Sequence, residues 1–278
     1  MPCALAVLSG PALWLDWLGE LQRKATGKMG MWPTGRMAIM TVFGLVIAGS
    51  ASITGVANAA TTCTTSAQFG ECAYGGYTLN NNMWGEVSGS AQTLTASSAN
   101  DWSITGSEPS GGGVKSYPEN SEDISGPALG TIQTTDQNFT LTAVPACNAS
   151  SSWEVAADDW LNGIAGSAHP IEIMVWEDTC NQYPAGSNTG HTTTFNGQTF
   201  DLYAKTGADP TYTLVSTTNV KSGTVHFMDT VNWLEGLGYF SSTAELDQLN
   251  MGEEIVSTNG AKLTWTFDRC FNNIVYKS

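Results

Sequence analysis

Basic residues are scarce in this sequence: Lys and Arg total 10 against 25 Asp and Glu in 278 residues, a formal net charge of −15 at pH 7. Binding to nucleic acid depends on Lys and Arg contacts with phosphates, and adhesion to an anionic membrane depends on similar basic patches. We therefore expect no nucleic-acid partner and, for the mature chain, no membrane partner. Only 13% of residues are charged, alongside 30 Gly and 10 Trp, which is typical of a loop-rich globular protein.

The sequence also lacks the common signatures of metal sites and of serine hydrolases. Its three histidines, His169, His191 and His226, do not have the spacing of metal ligands, and no Cys-x-x-Cys pair is present. No serine lies in a Gly-x-Ser-x-Gly motif. We expect no metal and no cofactor, and the absence of internal repeats or a Pro/Thr-rich linker predicts a single domain after the leader.

The N-terminal segment has the order of a secretory signal peptide. Basic residues precede an apolar stretch at 37–56, which ends in the small residues 57–60. This order predicts a leader over residues 1–59 with cleavage after Ala59, and a mature domain over residues 60–278. The alternative is an uncleaved anchor, since about 20 apolar residues can span a bilayer. We expect a secreted, extracellular monomer.

Cysteine usage agrees with export. Five cysteines follow the leader, without metal-ligand spacing: Cys63, Cys72, Cys147, Cys180, Cys270. An odd number in a secreted chain predicts one or two disulfides and a free thiol, and the pairing stays open.

Short runs rich in Thr, Val, Tyr and Trp, separated by Gly, Asn, Ser and Pro, predict many antiparallel strands. One clear alternation places Leu263, Trp265 and Phe267 on one face. Helical spacing appears only late, at residues 228–234 and after the capping-box sequence 242–245, before Leu246 and Leu249. We predict an all-β fold, a β-sandwich or jelly roll with a single helix.

Residues 171–176 alternate between two kinds of side chain. Because successive strand residues point to opposite faces, Ile171, Ile173 and Val175 would face a core, and the opposite face would carry Glu172, Met174 and Trp176. Sugar rings stack on Trp, and a carboxylate can attack or stabilise an anomeric carbon, so a wet aromatic face of this kind suits a glycan cleft. The alternative is an exposed strand face with an incidental Glu172.

Glycoside hydrolysis needs a second carboxyl group, which protonates the leaving oxygen. Glu253 and Glu254 are adjacent, so at most one of them can share a cleft with Glu172 if they lie on a strand. A third acid, Asp158, could hold the nucleophile through a shared proton. The alternative for each acid taken singly is a solvated strand end.

The sequence Glu-Ile-Met-Val-Trp at 172–176 is followed by Tyr-Pro-Ala-Gly at 183–186, and further motifs lie at residues 77–85, 114–118, 199–203 and 252–254. Together, and in the same order, they resemble the motifs of glycoside hydrolase family 12, whose members are secreted β-1,4-endoglucanases. The resemblance implies a jelly-roll β-sandwich of two antiparallel sheets with a single helix, whose concave sheet forms the substrate cleft. It covers nearly all of residues 61–278.

The resemblance implies a role for each catalytic candidate. Glu172 occupies the position of the nucleophile, Glu254 that of the general acid/base, and Asp158 that of an acid in contact with the nucleophile. The implied reaction is endo-acting, retaining hydrolysis of β-1,4-glucosidic bonds in cellulose or related β-glucans. Retention requires carboxyl groups roughly 5 to 5.5 Å apart, against about 6.5 to 9.5 Å for inversion.

The resemblance also implies a set of substrate-binding residues. Asn82 and Trp84 would line the cleft, and their equal parity predicts one shared face if they lie on a strand. Met174 and Trp176 would complete the floor, and Phe69 would form an outer stacking platform. The alternatives are an enzyme specific for xyloglucan or mixed-linkage β-glucan, and a non-catalytic carbohydrate-binding jelly roll.

Overall fold

The computed structural model describes residues 62–278, so the leader predicted at residues 1–59, with its cleavage after Ala59, lies outside the described residues. The described chain forms fifteen strands, one α-helix and a 3₁₀ turn at Leu129–Thr131. The strands and the helix, in chain order, are β1 Cys63–Thr65, β2 Glu71–Tyr74, β3 Tyr77–Asn80, β4 Ala91–Ser98, β5 Asp101–Ser107, β6 Glu119–Asp123, β7 Ile132–Ala143, β8 Ser152–Leu161, β9 Ile171–Cys180, β10 Ser187–Phe195, β11 Gln198–Lys205, β12 Thr211–Ser216, β13 Ser222–His226, α1 Phe227–Gly236, β14 Leu246–Ser257 and β15 Leu263–Tyr276.

The strands form two sheets, as predicted. One sheet has six strands in the order β1-β4-β5-β15-β7-β13, and the other has nine in the order β10-β11-β12-β9-β8-β14-β6-β3-β2. Neighbouring strands are antiparallel except β12 and β9, which are parallel. The prediction of a two-sheet jelly roll with one helix is confirmed for the described residues, with this parallel pair as an exception within the larger sheet.

Alternating aromatic residues fill the space between the sheets. Trp102 stacks on Phe267 with ring centroids 4.2 Å apart. Trp153 of the larger sheet meets Trp265 of the smaller one edge-on at 5.9 Å. All four are almost completely buried, and burial of such large apolar surfaces is the main favourable term in folding. The predicted inward face of β15 is therefore confirmed at Trp265 and Phe267.

The helical spacing at 228–234 belongs to α1, whose buried side chains include Met228, Val231 and Leu234. The helical expectation after residue 245 is wrong, because β14 begins at Leu246. A bulge lies between Leu246 and Gln248 in the pairing of β14 with β8. The extra residue puts the two inward leucines three positions apart, which imitates helical spacing.

Two disulfides form within the described residues, as the odd cysteine count predicted. Cys63 bonds to Cys72 and links β1 of the smaller sheet to β2 of the larger one. Cys147 bonds to Cys180 and ties the segment before β8 to the end of β9. Cys270 is a buried free thiol. No helix within residues 62–278 is long and apolar enough to cross a membrane.

Candidate active site

Four carboxyl groups share one face of the larger sheet, on three neighbouring strands. Glu172 lies on β9, Glu154 and Asp158 on β8, and Glu254 on β14. Glu154 lies directly opposite Glu254, and Asp158 lies opposite Met174, the next residue after Glu172 on the same face. The acids therefore form a row across β9, β8 and β14, with the two predicted reacting carboxyls on its outer strands.

Glu172 is partly buried at the β12 side of the row. The hydroxyl of Thr211, its register partner on β12, donates a hydrogen bond of 2.6 Å to Glu172 Oε2. Burial raises the pKa of Glu172, while this hydrogen bond and the positive charge of Lys205 act in the opposite direction. Both contacts favour the ionised form, which is the form a nucleophile needs.

Glu254 is partly buried at the other end of the row. Its Oε2 accepts a hydrogen bond of 2.7 Å from Gln182 Nε2, in the loop after β9. Burial, together with the charge of Glu172, raises the pKa of Glu254 to about 7, although hydrogen bonds with Glu154 and Gln182 act to lower it. A carboxyl group with this pKa can hold a proton at rest and release it during a reaction.

Asp158 is 8% exposed and lies between the two ends. Burial raises its pKa well above the ordinary value, and the charges of Glu172 and Glu254 raise it further. Since Asp158 is diagonal to Glu172 across the β8–β9 pair, a protonated Asp158 can share its proton with the neighbouring carboxylate.

Met174 and Trp176 occupy the same face of β9 as Glu172, where they pack on Ala156 and Val215. They are only 5% and 2% exposed, so the prediction of a wet surface at these two side chains is wrong. Ala156 on β8 and Val215 on β12 are the register partners of Trp176 on its two sides. Met174 and Trp176 therefore lie buried beside the carboxyl row.

Asn82 and Trp84 do not share a strand, because β3 ends at Asn80. The parity argument for them is wrong: Asn82 has a left-handed φ of 31°, and Trp84 lies in the following turn. Backbone hydrogen bonds instead set this segment, from Asn81 N to Gly70 O and from Met83 N to Gln68 O. They also bring residues 81–83 alongside the segment that carries Phe69.

Phe69 is 46% exposed, and Trp84 is partly exposed. Gly85 follows Trp84 where the backbone runs against Val114, and a Cβ at Gly85 would lie 2.2 Å from the Val114 carbonyl oxygen. The glycine therefore fixes the close approach that holds the Trp84 turn. Phe69, Asn82 and Trp84 lie toward the β3 end of the larger sheet, on the far side of β14 from Glu172.

The sequence interpretation missed Glu119, which lies on β6 opposite both Asn80 and Gly252. Asn80 Nδ2 donates to Glu119 Oε1 at 3.0 Å, and Asn82 Nδ2 donates to Glu119 Oε2 at 3.1 Å. Burial raises the pKa of Glu119 to about 8, against these two hydrogen bonds. Glu119 fixes the direction of the Asn82 amide, and no motif that we recognised extends to this residue.

Glu154 was also missed as a site residue, although it has the same strand parity as Asp158. Glu253, the neighbour of Glu254, points to the other face, opposite Val155, and is completely buried. This agrees with the prediction that at most one acid of the adjacent pair shares the cleft.

Within residues 62–278, no group of three or more His, Cys, Asp or Glu side chains is arranged to hold a metal ion.

The chain resembles known proteins in sequence and in fold. The family model of glycosyl hydrolase family 12 matches residues 75–274. A probable xyloglucan-specific endo-β-1,4-glucanase A of Neosartorya fischeri is 30% identical over 214 residues, which cover 71% of this chain and 86% of that protein.

Solved structures share the fold. The xyloglucanase domain of NopAA from Sinorhizobium fredii, solved with cellobiose, has a TM-score of 0.65 and 25% identity, and the match covers 77% of this chain and 99% of that one. Endoglucanase 3 of Trichoderma harzianum has a TM-score of 0.68 and 23% identity, with 78% and 99% covered. With the family model spanning most of the described residues, the chain belongs to glycosyl hydrolase family 12.

Proposed function

We propose that this glycoside hydrolase is an endo-acting β-1,4-glucanase that retains the anomeric configuration. The observation that carries the proposal is the contrast between two carboxyls on one face. Glu172 has a hydroxyl donor and a nearby cation that favour its charge, whereas burial raises the pKa of Glu254 to about 7. Two carboxyls whose environments separate their protonation states are suited to a nucleophile and a general acid.

In the first step, Glu254 gives its proton to the glycosidic oxygen as the bond from that oxygen to the anomeric carbon breaks. An oxygen of ionised Glu172 forms a new bond to the same carbon, which leaves a glycosyl-enzyme and an ionised Glu254. In the second step, water attacks the anomeric carbon, gives a proton to Glu254 and displaces Glu172. Asp158 stabilises the charge on Glu172 before the attack and after its release.

The substrate-binding roles follow the position of each residue along the sheet. Phe69 and Trp84 provide exposed aromatic surface on which sugar rings can stack, and Asn82, oriented by Glu119, offers a carbonyl oxygen to a sugar hydroxyl. Met174 and Trp176 support the floor of the cleft at the reacting bond. No metal or cofactor takes part in the proposed steps.

The proposed substrate class is β-1,4-linked glucan, including cellulose. Xyloglucan is the second candidate, because the relative with 30% identity carries the name of a xyloglucan-specific enzyme. We further propose secretion, which is supported by the leader pattern and by two disulfides. We also propose action as a monomer, because the four acids of the carboxyl row lie on three neighbouring strands of one sheet.

The test is release of reducing sugar from carboxymethyl cellulose, barley β-glucan and xyloglucan by the wild type, by Glu172→Gln and by Glu245→Gln. Glu245 is an exposed acid before β14 and serves as the matched control. We expect release by the wild type and the control, and almost none by Glu172→Gln with binding to the polymers kept. Wild-type binding without release would instead identify a non-catalytic carbohydrate-binding jelly roll.

A further inference from the structure

Glu154 and Glu254 face each other across the β8–β14 pair, on the cleft face of the sheet. Glu154 is completely buried, whereas Glu254 is partly open to the cleft. Direct partners in an antiparallel pair have Cβ atoms about 4.5 to 5.5 Å apart, so the two carboxyl groups can meet. A hydrogen bond between them requires one of the two to carry a proton.

Neither side-chain oxygen of Glu154 has a hydrogen-bond donor among residues 62–278. The Glu254 carboxyl group, its register partner on β14, is therefore the group to which a protonated Glu154 can donate. The Tyr117 hydroxyl, which also lies near, donates to the Ala156 carbonyl oxygen at 3.0 Å. An ionised carboxylate without a donor or a cation is very costly in such a buried place.

The charged groups that face the pair are acids. From β8, Asp158 acts on Glu154, and from β9, Glu172 acts on both Glu154 and Glu254. The loop after β9 contributes only the neutral amide of Gln182. Burial and the like charges of Glu254, Asp158 and Glu172 all raise the pKa of Glu154 well above its ordinary value.

We propose that Glu154 is a positioning residue of the proposed reaction: it stays an un-ionised carboxylic acid and donates the hydrogen bond that holds the Glu254 carboxyl group. The proposal rests on the proposed function, in which Glu254 is the general acid/base. Glu154 keeps its proton throughout both steps. After Glu254 has protonated the leaving oxygen, the Glu154 O–H stabilises the resulting carboxylate until water returns a proton to it.

The arrangement has a direct effect on Glu254. Burial alone favours protonated Glu254, and the hydrogen bond from Glu154 moves the pKa of Glu254 back down. A general acid must release its proton in the transition state, so this lowering favours the first step. A neutral donor achieves it without adding a negative charge beside Glu172, Asp158 and Glu254.

The experiment compares the pH dependence of kcat/KM for the wild type, Glu154→Gln, Glu154→Met and the Glu245→Gln control. The alkaline side of the kcat/KM profile, called the alkaline limb, reports the pKa of the general acid Glu254. An amide keeps a neutral donor of nearly the same size, so Glu154→Gln should leave this limb at its wild-type position. Methionine removes the donor and keeps the volume, so Glu154→Met should move that limb upward by up to about one pH unit. The control should match the wild type.

Two outcomes would overturn the proposal. A downward shift of the limb by about one pH unit or more in Glu154→Gln would mean that the wild-type residue is a charged carboxylate. An unmoved limb in Glu154→Met would mean that the contact does not act on Glu254.

Urea unfolding provides a readout that does not depend on catalysis. If Glu154 is protonated in the folded protein, the wild type loses stability as the pH rises from about 5 to about 8, because the unfolded chain releases this proton. Glu154→Gln lacks the proton and should lose less stability over the same range. An equal loss in both proteins counts against the proposal even if no glucan is cleaved. The proposed function is tested separately, by sugar release from the wild type and Glu172→Gln and by the configuration of the first product, and none of these results depends on Glu154.

Discussion

Glu119→Gln should weaken the pH dependence of folding stability. The ordinary pKa of a Glu is 4.5, and burial raises that of Glu119 to about 8. Between these values the folded protein holds a proton at Glu119 that the unfolded chain has released, so stability is lost as the pH rises through this window. The difference between the two pKa values corresponds to roughly 5 kcal/mol in the free energy of unfolding, at about 1.36 kcal/mol per pH unit.

The assay is urea unfolding at about pH 5 and about pH 8.5 for the wild type, Glu119→Gln and Asp123→Asn. Asp123 is exposed on the same strand, β6, so Asp123→Asn is the matched control. We expect Glu119→Gln to lose roughly 4 kcal/mol less than the wild type between the two conditions, because pH 5 already lies slightly above the pKa of the unfolded chain. The control should behave as the wild type does.

A loss of stability that is the same at both pH values does not affect this comparison, because only the change between the two pH values is compared. The new amide meets the amides of Asn80 and Asn82, which can destabilise Glu119→Gln by about 1 to 3 kcal/mol at both pH values. Equal losses in Glu119→Gln and the wild type would refute the reasoning, since Glu119 would then be ionised in the fold. The orientation of Asn82 by a protonated Glu119 would fail with it.

Three further changes test other parts of the molecule. Replacing Cys147 and Cys180 together by Ser opens a disulfide between residues 33 positions apart and should cost about 4 kcal/mol of stability by calorimetry; a negligible cost would contradict this. Gln182→Leu removes a hydrogen bond that lowers the pKa of Glu254, so the alkaline limb of kcat/KM should move upward, and an unmoved limb would count against that contact. Trp84→Ala should raise KM on a long glucan while kcat largely persists, and an unchanged KM would exclude its stacking role.

Sequence periodicity predicted the parts of the fold that depend on local alternation. Trp265 and Phe267 lie in the core, and Glu172 shares a face with Met174 and Trp176, because a strand alone decides which residues share a side. The same local rule failed at β14, where a bulge changes the spacing of inward residues. A bulge depends on pairing with another strand, which a single sequence does not display.

The site was predictable where motifs carried it and not where distant strands meet. The structure places Glu254 on the same face as Glu172 and Glu253 on the other face, which agrees with the argument that at most one of the two adjacent acids can share the cleft. Glu119 and Glu154 gain their meaning from partners on other strands, Asn82 for Glu119 and Glu254 for Glu154. Residue type alone does not distinguish such a buried acid from a solvated one, since burial and register come from the assembled sheet.

The most direct test of the central claim is the configuration of the first product. Proton NMR of a soluble β-1,4-glucan oligosaccharide during the first minutes of hydrolysis shows which anomer appears before mutarotation. Two displacements, by Glu172 and then by water, predict that the β-anomer appears first. Initial release of the α-anomer would contradict the account, because Glu172 would then activate water rather than attack the sugar.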